Sequence, residues 1–99
     1  KNMNMQQMLA QAQKIQRQME KAQAELDKKE FVVTKNGAVT VKALGSMKIT
    51  SIEIDDSLLT AEDKDMLQDM ILMAVNELIE KISEESEAIK ASATGGFSF

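Results

Sequence analysis

All the β-forming sequence of this chain lies in one block, residues 31–54, between two long stretches that contain no proline and, before Gly95, no glycine. Three runs fill the block: residues 31–35 (Phe-Val-Val-Thr-Lys), 38–44 (Ala-Val-Thr-Val-Lys-Ala-Leu) and 47–54 (Met-Lys-Ile-Thr-Ser-Ile-Glu-Ile). Asn36-Gly37 parts the first two and supplies the positive φ angles of a two-residue type I′ turn. Gly45-Ser46 parts the second two and suits type II′. Turns that short allow only an antiparallel meander, and they set its register. Thr34 is expected opposite Val39, Val32 opposite Val41, Val41 opposite Thr50 and Val39 opposite Ile52.

On that register one face carries Val32, Thr34, Val39, Val41, Thr50, Ile52 and Ile54, and this is the expected core face. The other carries Phe31, Val33, Leu44, Met47 and Ile49 among Thr40, Lys42, Ser51 and Glu53, which is more apolar than the wet face of an antiparallel sheet. Either a second helix or a partner chain covers it, and the open edges of a three-stranded sheet favour the partner.

The stretch before the block is rich in Gln, Ala, Lys and Met, all good helix formers. Met5, Met8, Ala12, Ile15, Met19, Ala22 and Leu26 recur at alternating steps of three and four, a narrow heptad seam. A helix this long spans roughly 40 Å and exceeds what a small sheet can cover, so part of it should project or pair. At 100° per residue, Lys14, Arg17, Lys21 and Lys28 fall within about 60° of one another, nearly opposite the seam. Such a stripe suits phosphate contacts, although spacing alone favours a solvated helix face.

After the block, Thr60 is the expected N-cap of a second helix running from about residue 61 to 91, with acids in its first turn and a stop at Gly95-Gly96. Between Met66 and Ile79 this helix is apolar on most of its circumference, so it must be covered on more than one side. That is the second sign of a dimer, and it brings Met70 and Met73 into the expected interface. Phe97 and Phe99, on the Gly-Gly tail, are either frayed or tucked into a groove.

Ninety-nine residues form one domain with a marginal core, and eight Met against three Phe make that core soft. There is no Cys and no His, which removes thiol nucleophiles, histidine bases, disulfides and the usual zinc sites. No apolar run approaches a membrane span and no signal-like segment opens the chain, so a soluble cytoplasmic protein is expected. Its opening on Lys1 leaves room for a few native residues ahead of it. The net charge of −4 hides a split, with +4 over residues 1–54 and −8 over residues 55–99. Asp55, Asp56, Glu62, Asp63, Asp65 and Asp69 lack the ligand pattern of a calcium loop and a partner to separate their pKa values, and a helix start explains them. No phosphate loop or nucleophile motif is present, so no enzyme activity, cofactor, metal or small-molecule substrate is expected.

The runs 8–19 (Met-Leu-Ala-Gln-Ala-Gln-Lys-Ile-Gln-Arg-Gln-Met), 37–41 (Gly-Ala-Val-Thr-Val), 52–59 (Ile-Glu-Ile-Asp-Asp-Ser-Leu-Leu) and 63–69 (Asp-Lys-Asp-Met-Leu-Gln-Asp) together resemble the YbaB/EbfC family of bacterial nucleoid-associated proteins. The resemblance covers almost the whole chain in order, and departs from the family at Asp56, where most members have proline. It implies an α+β protomer of α-β-β-β-α order, forming a homodimer whose sheets join centrally while long helices protrude. It also implies binding to duplex DNA with little strict sequence preference, and roles in DNA conformation, nucleoid organisation and gene expression, without enzyme activity. The expected layout is a helix over residues 1–30, a meander over 31–54, a helix over 60–92 and a flexible tail over 93–99. The expected DNA contacts are Lys14, Arg17, Lys21 and Lys28, with Lys42, Lys48 and Lys1 secondary. The expected dimer contacts are Phe31, Val33, Leu44, Met47, Ile49, Met70 and Met73. A protein-interaction scaffold that docks partners through the apolar or heptad surface is the alternative.

Overall fold

The structure, a computed structural model, describes residues 4–95. The order is α1 (Met5–Lys28), β1 (Glu30–Lys35), β2 (Val39–Leu44), β3 (Ile49–Ile54), two 3-10 turns (Asp56–Leu58 and Ala61–Asp63) and α2 (Lys64–Gly95). The chain is therefore α+β, an antiparallel meander of order β1-β2-β3 between two helices. Residues 93–95, expected in the tail, continue α2; Phe97 and Phe99 lie outside the described residues.

Each helix begins where its cap chemistry dictates. Asn4 caps α1 reciprocally: its Oδ1 accepts from Gln7 N (2.7 Å), while Gln7 Oε1 accepts from Asn4 N (3.2 Å). Thr60 caps as expected, its hydroxyl accepting from Asp63 N at 3.2 Å, but the turn it starts is 3-10 and the α-helix begins only at Lys64. Asp55 folds the exit from β3 by accepting from Ser57 N at 2.9 Å, and that bond holds its carboxyl below the ordinary aspartate range.

The meander forms, but its register corrects the expectation from the sequence. Asn36 (φ 52°) and Gly37 (φ 65°) are both left-handed, and Ala38 N donates to Lys35 O at 3.0 Å, closing the turn. Ala38 does not then enter the ladder with β1, because its carbonyl accepts from Asp55 N at 2.8 Å. Val39 stands opposite Lys35, Val41 opposite Val33 and Ala43 opposite Phe31. That one-residue shift turns β1 over relative to β2. Phe31 and Val33, 7% and 4% exposed, face the core, whereas Val32 is 45% exposed and Thr34 lies on the wet face. The second hairpin has a three-residue loop in which Met47 takes a left-handed φ of 71° and Leu44 N donates to Lys48 O at 2.9 Å. Ile54 pairs with Val39 and Ile52 with Val41, but a bulge at Lys42/Ala43 leaves Thr50 unpaired and sets Ile49 beside Ala43.

The core is α2 laid across two strands. Met70, Ala74, Leu78 and Ile82, spaced by four, bury against Phe31, Val33, Val39, Val41 and Ala43. Glu77 pairs with Lys35 on β1 and Glu85 with Lys29 at 2.7 Å, so the ridge through Glu77, Lys81 and Glu85 lies along the β1 edge. The neighbouring ridge of Ile71, Val75 and Ile79 therefore leans toward β3.

Among described residues of α1, only Leu26 is buried. Its helix end lies on the β2–β3 loop: Gly45 N donates to Lys29 O at 2.9 Å, and a Cβ built on Gly45 would stand 1.8 Å from Leu26 O. Gly45 is required for that close approach and not for its φ. The result is a molecule of 71 × 21 × 15 Å with a radius of gyration of 20.1 Å, against about 13 Å for a compact chain of this length.

Two outcomes follow for stability. Gly45→Ala is expected to cost about 2–3 kcal/mol through overpacking, more than the roughly 1 kcal/mol of Gly37→Ala, which has left-handed φ but open space around it. Urea titrations check this, and the reverse order contradicts the docking role of Gly45. The hydrogen bond from Lys35 holds the Glu77 carboxyl below the ordinary glutamate range, with Lys81 assisting. Its stabilisation is complete above that range and vanishes as pH falls through the lowered value. The stability gap between wild type and Glu77→Gln should therefore close on acidification, and a gap constant with pH contradicts the pair.

Candidate nucleic-acid interface

The C-terminal part of α1 runs antiparallel to the far end of α2. Ile15, Met19, Ala22 and Leu26 face Glu85, Ala88, Ile89 and Ser92 across a half-open groove of about 580 Å³. The inner half of the heptad seam thus has α2 as its partner. Met5 (80% exposed), Met8 and Leu9 stand beyond that contact.

Opposite the seam, Lys14, Arg17, Lys21 and Lys28 are all exposed. None of the four makes an ion pair among the described residues. The structure brings them together on one outward helical face. Lys42 and Lys48, likewise without ion pairs among the described residues, are on the meander: Lys42 lies on the wet face opposite Ser51, and Lys48 immediately precedes β3, at the end of the loop that receives α1. Lys35 does not share their face, since it points to the helix side and pairs with Glu77. Lys1 lies outside the described residues.

The expected dimer residues separate. Phe31, Val33 and Met70 belong to this chain's own core, which corrects their reading as an uncovered face. Leu44 is half-buried on the wet side, and Met47 is exposed in the loop. Met73 is exposed on the Glu77 flank of α2. Ile49 is exposed, and beside it sequence reasoning underweighted a larger feature. Ile49, Ile52 and Ile54 occupy the helix-facing side of β3, but only Ile54 packs against the core, while Ile49 and Ile52 are 40% and 49% exposed. With Ile71, Val75 and Ile79 of α2 they form an apolar surface along the β3 edge. The signal was present: Ile49, Ile52 and Ile54 are spaced three then two, the mark of one bulged residue.

Among the described residues no group of three or more acidic side chains could hold a metal ion, and no helix is long and apolar enough to cross a membrane. In class, this is an α+β helix–meander–helix protein with a cationic helical face turned to solvent. The chain belongs to the YbaB/EbfC DNA-binding family, whose profile it matches over residues 1–97. It is similar to a nucleoid-associated protein of Clostridium novyi, 45% identical over 95 residues (95% of this chain, 83% of the relative). A nucleoid-associated protein of Enterococcus faecalis is 42% identical over 94 residues, covering 94% of this chain and 90% of the relative. An uncharacterized protein from Helicobacter pylori shares the fold, with a TM-score of 0.63 at 20% identity over 95% of this chain and 92% of its own.

Proposed function

We propose that this protein acts in the nucleoid as a homodimer that binds duplex DNA with little strict sequence preference, altering DNA conformation and so gene expression. The observation that carries the reading is the stripe of Lys14, Arg17, Lys21 and Lys28, outward-facing and without ion pairs among the described residues, on the face of α1 that α2 does not use. Lys42 and Lys48 extend it secondarily. Phosphate neutralisation supplies most non-specific DNA affinity, and cations held by their own acids would not contribute to it. The dimer reading rests on the β3 surface: the exposed Ile49, Ile52 and Ile79, with the half-buried Ile54, Ile71 and Val75 between them and an open strand edge beside them, would be matched by an identical surface on a second copy.

If the four stripe residues of each protomer each neutralise a phosphate, log K should fall with log[salt] at a slope near about −7 for the dimer. Replacing all four with Gln should remove most of the affinity at low salt and leave the circular dichroism unchanged; undiminished binding rules the stripe out. Sedimentation at micromolar concentration should report about 22 kDa, twice the 11.0 kDa chain. Ile52→Glu should return it to the monomer without unfolding it, because Ile52 is already half exposed in one chain. A wild-type monomer contradicts the dimer.

A further inference from the structure

The outer half of α1 carries a polar face that phosphate contact alone does not use. The groove that α1 shares with α2 reaches out to Ile15 on α1 and Ser92 on α2, and every residue from Asn4 to Gln11 is exposed beyond it. Among the described residues, residues 4–11 stand as a single helix. One helix with its side chains is about 10–12 Å across, the width of the B-DNA major groove at about 12 Å. The two-helix section nearer the sheet is too wide to enter.

On the side turned from α2, Gln6, Ala10, Gln13 and Arg17 fall within about 60° of one another, with Lys14 and Lys21 flanking. Residues 4–19 contain no acid. Gln7 is spent on the N-cap, and Gln16 and Gln23 donate to Glu20 and Asp27 at 3.2 and 2.9 Å. Gln6 and Gln13 make no such bond among the described residues. Ala10 between them has nothing beyond Cβ to hold the helix away from a surface. A glutamine amide offers one donor and one acceptor side by side, which matches the N7 acceptor and N6 donor of adenine in the major groove. Seven residues of helix advance about 10 Å, close to three base-pair steps of about 3.4 Å.

We propose that residues 4–14 of α1 enter the major groove of duplex DNA, where Gln6 and Gln13 each hydrogen-bond an adenine edge about three base pairs apart. The proposal rests on the DNA-binding reading above. Lys14, Arg17 and Lys21 hold the flanking phosphates, and two amides per arm give a preference for adenine at spaced positions without a strict consensus.

The test is fluorescence anisotropy on an A·T-rich duplex and on the same duplex with every adenine replaced by 7-deazaadenine. That replacement deletes the N7 acceptor and leaves pairing, phosphates and the minor groove in place. Wild type should bind the deaza duplex at least about fivefold more weakly, with an unchanged salt slope. Gln6→Ala/Gln13→Ala should bind both duplexes equally, at the wild-type level for the deaza duplex; Ala favours the helix, so the fold is not at risk. Equal binding of both duplexes by wild type, or continued discrimination by the double variant, overturns the proposal while leaving the phosphate stripe standing. Failure of wild type to bind either duplex at low salt overturns the DNA reading and this one with it.

Discussion

One helix covers two strands. A helix is about 10 Å wide and neighbouring strands lie about 4.8 Å apart, so the ridge of Met70, Ala74, Leu78 and Ile82 covers β1 and β2 and leaves most of β3, all but Ile54 among its isoleucines, uncovered. The other helix does not make up the difference, because α1 contributes only Leu26 to the core before it leaves the sheet. Elongation, a small core and a bare apolar strand are three consequences of that single geometry. A chain of this length that spent both helices on its sheet would be compact and would present neither an arm nor a greasy edge.

The arm's direction depends on a contact with almost no tolerance. The Leu26 carbonyl occupies the space where a side chain on Gly45 would begin, and the hydrogen bond from Gly45 N to Lys29 O holds the helix end in place. Lys29 adds a salt bridge to Glu85 and sits 5.1 Å above the Phe31 ring, tying the same junction to α2 and β1. Because α1 is fixed at its base and braced by α2 as far as Ile15, a stripe on its outward face has a defined orientation relative to the sheet.

Much of this was legible in the sequence, and the part that was not has a specific cause. Helix, meander and helix followed from periodicity and turn residues, and the heptad seam correctly marked the side of α1 that packs. The register failed at Ala38, whose carbonyl is taken by the N–H of Asp55, just past the end of β3. A turn read from four local residues carries no information about a third strand. Gly45 misled differently. It reads as a turn former, but it is small because a helix end rests on it, and the left-handed φ falls to Met47 instead. The slip exchanged Phe31 and Val33 for Val32 and Thr34, and so moved the expected interface onto the core.

The proposed dimer rests on the amount of uncovered apolar surface and not on the register. An excess of apolar side chains over available cover is a sum, and a sum does not change when one strand is turned over. Its location does, which is why the uncovered surface lies at β3 and the adjacent flank of α2. Charge behaves in the same way. The total of −4 would discourage contact with DNA if it were spread evenly, but Glu80, Glu84 and Glu87 line the exposed side of α2 while the lysines and Arg17 line the outward side of α1. Two helix diameters separate those sides by about 20 Å, twice the Debye length of about 10 Å at 0.1 M salt. A phosphate approaching α1 therefore senses little of those α2 acids. The charges that matter are those of α1 itself, where Glu20, Glu25 and Asp27 lie among the cations and residues 4–19 carry no acid, so the net charge of the chain is the wrong quantity by which to judge its affinity for DNA.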